Sequence, residues 1–297
     1  MAELADAWPA GRQRCIDLLC SHIRRDGTGP GGLDGADPSE GARTALAMLA
    51  ERLRDTGAGS WSAYDLNLAG ARIPGTTFSG ARFAGGRVDL RGATFTQDHV
   101  GFANARFDGG LVDFTGAVFA GGHVDFTGAV FDGGCVDFTA ATFGGATVDF
   151  SLAVVSAGSL DFTGADLANG KLVFYGIHCL GGGLEFTRAR LTGAYVLFVG
   201  ALIAGGCIDF RGAQLSKGSI EFAGSHLTDG RIDFTTTGFH GGTVDLSGLT
   251  LTTTAVQFTT AAVQFADGNL PTGVSLPAGA PVAGGPSVAR RGGRMIQ

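Results

Sequence analysis

The sequence predicts an all-β solenoid, a chain wound into stacked coils around a core of phenylalanine, and three observations carry that prediction. The first is a twelve-residue sentence, VDFTGAVFAGGH, repeated almost verbatim through VDFTGAVFDGGC and VDFTAATFGGAT from Val112 to Thr147. Stepping by twelve from Leu90 through Phe102, Phe114 and onward to Phe258 meets fifteen positions, every one Phe or Leu. The second is that the position two before each of these is always Val, Ile or Leu, so both side chains of the pair lie on one face of a strand. The third is the punctuation: glycine numbers 52 and proline only 8, and the glycines recur in register at what a solenoid would use as corners.

In chain order, residues 1–60 come first and lack the repeat. Ile16, Leu19 and Ile23 stand at helical spacing and the segment closes on basic residues. After a glycine-rich loop, Pro38-Ser39-Glu40 starts a second helix whose stripe is Ala45, Leu46, Leu49 and Leu53, ending at Thr56-Gly57. A helical hairpin that caps the open end of the solenoid is the expectation, with Trp61 and Tyr64 sealing the junction.

Residues 61–264 form the solenoid. Leu68, Ile73, Phe78 and Phe83 are five apart; from Phe83 the steps alternate seven and five, the two extra residues usually being Gly-Gly. Twelve residues per coil would give a flattened, two-sided helix, and twenty-four a four-sided one built 7-5-7-5. Sorting the outward residue of each Val-x-Phe unit by twenty-four separates two columns. One reads Asp89, Asp113, Asp137, Asp161, Glu185, Asp209, Asp233; the other reads Gly101, Asp125, Asp149, Val173, Leu197, Glu221, Asp245. A uniform column beside a variable one favours twenty-four, and about eight coils follow. Residues 265–297 lose the period and gather prolines, which predicts a disordered tail.

Within residues 66–260 the five-residue run from Leu68 to Phe83, and Gly164 followed by Ala165-Asp166-Leu167, resemble the pentapeptide-repeat proteins. The helical preface Arg14-Cys15-Ile16-Asp17-Leu18-Leu19-Cys20 is similar to that of some actinobacterial members. The Gly-Gly pair in alternate units departs from the family's motif. The resemblance implies a right-handed, four-sided β-helix. It also implies a partner, because the family includes DNA mimics that bind DNA gyrase.

Charge and chemistry narrow the function. The formal net charge of −6 falls wholly on residues 61–263, which is the wrong sign for a nucleic-acid surface. Five cysteines form no paired spacing, no apolar run is long enough for a membrane span, and the N-terminus lacks a leader pattern, which together predict a cytoplasmic protein. No nucleophile–base constellation, phosphate loop or dinucleotide fingerprint occurs, so no enzyme, cofactor or metal is expected. His99 and His123 would stack on one corner without a third ligand.

Two surfaces remain as candidates for a non-enzymatic, protein-binding solenoid. The acidic ladder Asp89, Asp113, Asp137, Asp161, Glu185, Asp209 and Asp233 is a candidate mimic of DNA toward gyrase. Its density, one charge per ~4.8 Å against one per ~1.7 Å of duplex, is about a third of DNA's. Solubility, or a purely structural scaffold, is the plainer account of the same acids. Where the variable column loses its acids, Val173, Tyr175, Tyr195, Leu197 and Val199 are expected to form an exposed apolar patch for a protein partner or a homodimer.

Overall fold

In the computed structural model, residues 2–26, 39–95, 99–234, 236–246, 248–251, 263–265 and 274–275 are described. The chain is a parallel β-solenoid of about seven turns of roughly 24 residues. The eighth expected coil falls where most residues lie outside the described ones, as does nearly all of the expected disordered tail.

The turn is four-sided because the backbone bends after every inward pair. The first face runs from Leu66–Asn67 through Arg87–Asp89 and Leu111–Asp113 to Arg231–Phe234 and Val263–Phe265. The second begins at Arg72–Ile73, the third at Thr76–Thr77 and His99–Gly101, and the fourth at Arg82–Phe83. First and third faces lie opposite each other and carry mostly three-residue strands; the second and fourth carry mostly two-residue strands, Arg190–Thr192 and Gln214–Ser216 being longer. The described pairings are all parallel and most step by 24, as in Val112 with Val136 and Val124 with Val148. The first turn is shorter, pairing Leu66 with Val88 and Arg72 with Thr94, because its first three steps are all five-residue units.

Corners follow from local chemistry. In Phe114-Thr115-Gly116-Ala117 the Ala117 N–H donates to the Phe114 carbonyl at 2.8 Å, and Gly116 holds φ at 65°. A positive φ at the third residue makes this a type II turn, whose steric demand glycine meets without cost. The same turn recurs at the equivalent corner of nearly every unit.

The interior is four stacks of rings and aliphatic chains. Phe102, Phe126 and Phe150 lie with centroids 4.7 Å apart on the third face, and Phe114 lies 4.9 Å from Phe138 on the first. Across the core Phe126 meets Phe138 edge-on at 6.1 Å, so stacking along the axis and T-shaped contact across it coexist. Volume is exchanged between neighbours. Where Ile177 replaces the usual alanine, the large position two residues on shrinks to Cys179, and both stay buried.

At the N-terminus, α1 (Ala2–Ala7), α2 (Arg12–Asp26) and α3 (Glu40–Arg54) precede the first turn. Ser39 caps α3, its hydroxyl accepting from the Ala42 N–H at 3.3 Å. The buried stripes of α2 and α3 belong to the same apolar cluster as Trp61, Leu66 and Leu68. Polar ties add to this packing: Arg12 donates to the Ala58 carbonyl at 2.8 Å, and Arg54 to the carbonyls of Thr77 and Ser79 at 2.7 and 2.8 Å. The helices thus cover the apolar start of the solenoid. None of the described helices is long and apolar enough to cross a membrane.

Candidate protein-docking face

The acidic ladder forms one continuous column on the first face, Asp89 beside Asp113 and so on in register to Asp209 beside Asp233. Its carboxylates are not simply solvated charge. Asp113, Asp137 and Asp161 each accept the backbone N–H two residues on, from Thr115, Thr139 and Thr163, at 2.8–2.9 Å. That bond satisfies a donor at the corner and fixes the start of the turn. Asp209 does the same for Arg211 at 2.8 Å.

Arginines then neutralise both ends of the ladder. Arg91 grips Asp89 through Nε and Nη2 at 2.8 and 2.6 Å and lies 3.8 Å from Asp113, which also pairs with Arg87. Hydrogen bonding to Arg91 holds the Asp89 carboxyl below its ordinary range. At the other end Arg211 pairs with Asp209, and Arg231 lies 3.2 Å from Asp233. Between them Asp137, Asp161 and Glu185 have no cation within ion-pair distance among the described residues, Arg211 and Arg231 acting on Glu185 only from farther off. Burial, with help from Asp209 and Asp161, pushes the Glu185 carboxyl up.

The opposite, third face breaks its acid column in the middle. Asp149 stands in register with Val173, Val173 with Leu197, and Leu197 with Glu221. Asp125 accepts the Thr127 N–H at 2.8 Å, Asp149 the Ser151 N–H at 2.8 Å, and Glu221 the Ser219 hydroxyl at 2.7 Å. None of these three has a cation among the described residues.

Of the five expected patch residues, Val173, Tyr195 and Leu197 lie in strands of this face and Tyr175 and Val199 in the corner that follows, and their exposure differs. Tyr195 is 53% exposed and Tyr175 41%, whereas Val173 and Leu197 are only 4% and 7% exposed, and Val199 is half-buried. Val173 and Leu197 are nonetheless outside the interior cluster that holds their neighbours Leu172, Phe174, Val196 and Phe198. They form an apolar floor in the sheet face, with the tyrosines standing above it.

A residue not singled out from the sequence completes the surface. Leu152 occupies the corner after the third face and is 66% exposed. Its φ is 60°, a left-handed conformation that costs an L-residue with a Cβ roughly 1–2 kcal/mol. The corresponding corners of other turns hold Asn104, Gly128, Gly176, Gly200 and Gly224, residues that suit it. A Cβ added at Gly176 would sit 3.0 Å from Leu152 Cδ2, so the leucine lies along the next corner, beside Tyr175. The signal was the lapse of TGA to SLA at residues 151–153.

Other features carry less chemistry. A recess of about 280 Å³ between α3 and the first turn is lined by Arg43, Leu46, Ala47, Ala50, Pro74 and Thr77, among others. His99 and His123 stack at 5.5 Å, but no group of three or more metal-ligating side chains occurs among the described residues. The five cysteines are free, and burial pushes the thiols of Cys20 and Cys179 up to about 12, which makes them poor nucleophiles.

Neither a family model nor a curated protein matches the chain. Among solved structures it is similar to QnrB1, a plasmid-mediated fluoroquinolone resistance protein, at 16% identity, covering 56% of this chain and 89% of that one with a TM-score of 0.20. It is also similar to HetL, a pentapeptide-repeat protein involved in heterocyst differentiation regulation from the cyanobacterium Nostoc sp., at 14% identity, covering 63% and 89%, TM-score 0.19. Superpositions this weak add nothing to the reading of the face.

Proposed function

We propose that this chain is a non-enzymatic protein-binding solenoid whose partner docks on the third face, anchored by Leu152, Tyr175 and Tyr195. The observation that carries the reading is Leu152. It breaks two local rules at once, a branched apolar side chain at a left-handed corner and the same side chain held in water. Ala140, Arg188, Lys217 and Thr236 hold a similar φ at other corners, but Leu152 alone among these joins it to a large exposed apolar side chain, and that combination points to use. The tyrosines fit the role, since they offer large rigid contact area with a polar tip.

The first face supports docking less well. Arginines offset both ends of its acid column, and no aromatic anchor interrupts it. Mimicry of DNA toward gyrase therefore stands second. The test is a photo-crosslinking residue placed at Tyr195 or, as a control, at Asp137, in the full chain within source cells. A discrete adduct from position 195 and none from 137 is the expected outcome; adducts from 137 alone would transfer the function to the acidic ladder.

A further inference from the structure

Along the solenoid axis the third face presents a four-step pattern: acid at Asp149, apolar at Val173 and Leu197, acid at Glu221. Both acids lack a cation among the described residues, in contrast to the paired ends of the first face. Successive steps are spaced at the inter-strand distance, ~4.8 Å. An α-helix laid along the axis advances 5.4 Å per turn, so each turn meets one coil with a slip of about 0.6 Å per step. An extended strand repeats the same side every ~6.8 Å and falls out of step within two coils.

We propose that the partner element is an amphipathic α-helix whose docking stripe reads basic, apolar, apolar, basic on four successive turns. The inference rests on the third face being the docking face and adds the chemistry of what docks. Its two cations meet Asp149 and Glu221, and its two apolar side chains lie over the buried Val173 and Leu197, in contact with the exposed Tyr175 and Tyr195. Exposed Lys171 stands two residues before Val173 and in register with Tyr195. It repels a cation at the middle steps and so helps fix the register of the helix.

A second copy of this chain is the poorer occupant. Any two-fold pairing of two third faces centred on the floor sets acid against acid, Asp149 against Glu221 or each against itself. The exposed side of α2 offers Arg14, Leu18, Ser21 and Arg25 at the required spacing, but Ser21 stands where the stripe needs an apolar group. Copies joined in that way would grow open-endedly.

The test uses the full chain and two labelled, side-chain-stapled helical peptides. One carries Arg, Leu, Leu and Arg at positions i, i+4, i+7 and i+11; its twin has Glu in place of both Arg. Fluorescence anisotropy is expected to show saturable binding of the first and none of the second. The D149N/E221Q variant, which keeps an acceptor at both sites, should weaken the first on the order of fivefold and flatten its salt dependence. Equal binding of both peptides, no binding, or binding indifferent to D149N/E221Q overturns the proposal. Concentration-dependent growth of the chain alone in light scattering, without peptide binding, overturns it in favour of a second copy. An adduct at position 195 with no peptide binding keeps the docking face and discards the helix; loss of both discards both.

Discussion

At the scale of single residues, the outward aspartates show how one side chain serves two ends. Each gives the surface a charge, and most also accept a corner N–H that would otherwise lack a partner. The Asp-x-Thr spacing that builds this bond was legible at Asp113, Asp125, Asp137 and Asp161, yet from the sequence alone the acids read only as surface charge. Leu152 shows the reverse, an exposed apolar side chain on a left-handed corner that glycine would suit better. Replacing it with Gly should stabilise the fold by about 1 kcal/mol, because glycine meets the 60° φ without strain. The same L152G change should weaken the adduct at position 195. Denaturant melts and crosslinking yield together check this: a loss of stability, or unchanged crosslinking, would separate Leu152 from the docking face.

At the scale of elements, the 24-residue register, the short first turn and the two helices were readable because each is written in spacing. Steps of five and seven set the path of the chain, and the core positions follow. Exposure was less legible. Val173 and Leu197 do face outward, but flanking side chains cover them, and side-chain cover is not encoded in a residue's own column. The ladder as an element has a weak point at Glu185. Its folded-state carboxyl is raised, so the folded chain binds that proton more tightly than the unfolded chain does. Its contribution therefore becomes more favourable as pH falls through the window just above the ordinary glutamate range, and less favourable above it. E185Q should raise the melting temperature by a few degrees at most at pH 7 and lose the advantage near pH 4. An equal shift at both values would mean that the charge of Glu185 is not what costs stability.

At the scale of the whole molecule, the 24-residue step between paired strands through the middle of the solenoid has a consequence for how sites are addressed. Excising residues 113–136 joins Val112 to Asp137, leaves every column intact, and should shorten the solenoid by about 4.8 Å. Excising residues 113–124 joins Val112 to Asp125, an equally smooth splice, but it removes half a coil. Everything downstream then turns to the opposite side, and Tyr195 arrives on the side that holds Asp89 and Arg91 instead of opposite them. Energy transfer between a label on α2 and one at position 195 distinguishes the two deletions, with the half-coil cut giving the larger change. Position along this chain thus works like a dial: an odd number of repeats moves a site around the shaft, and an even number only slides it along.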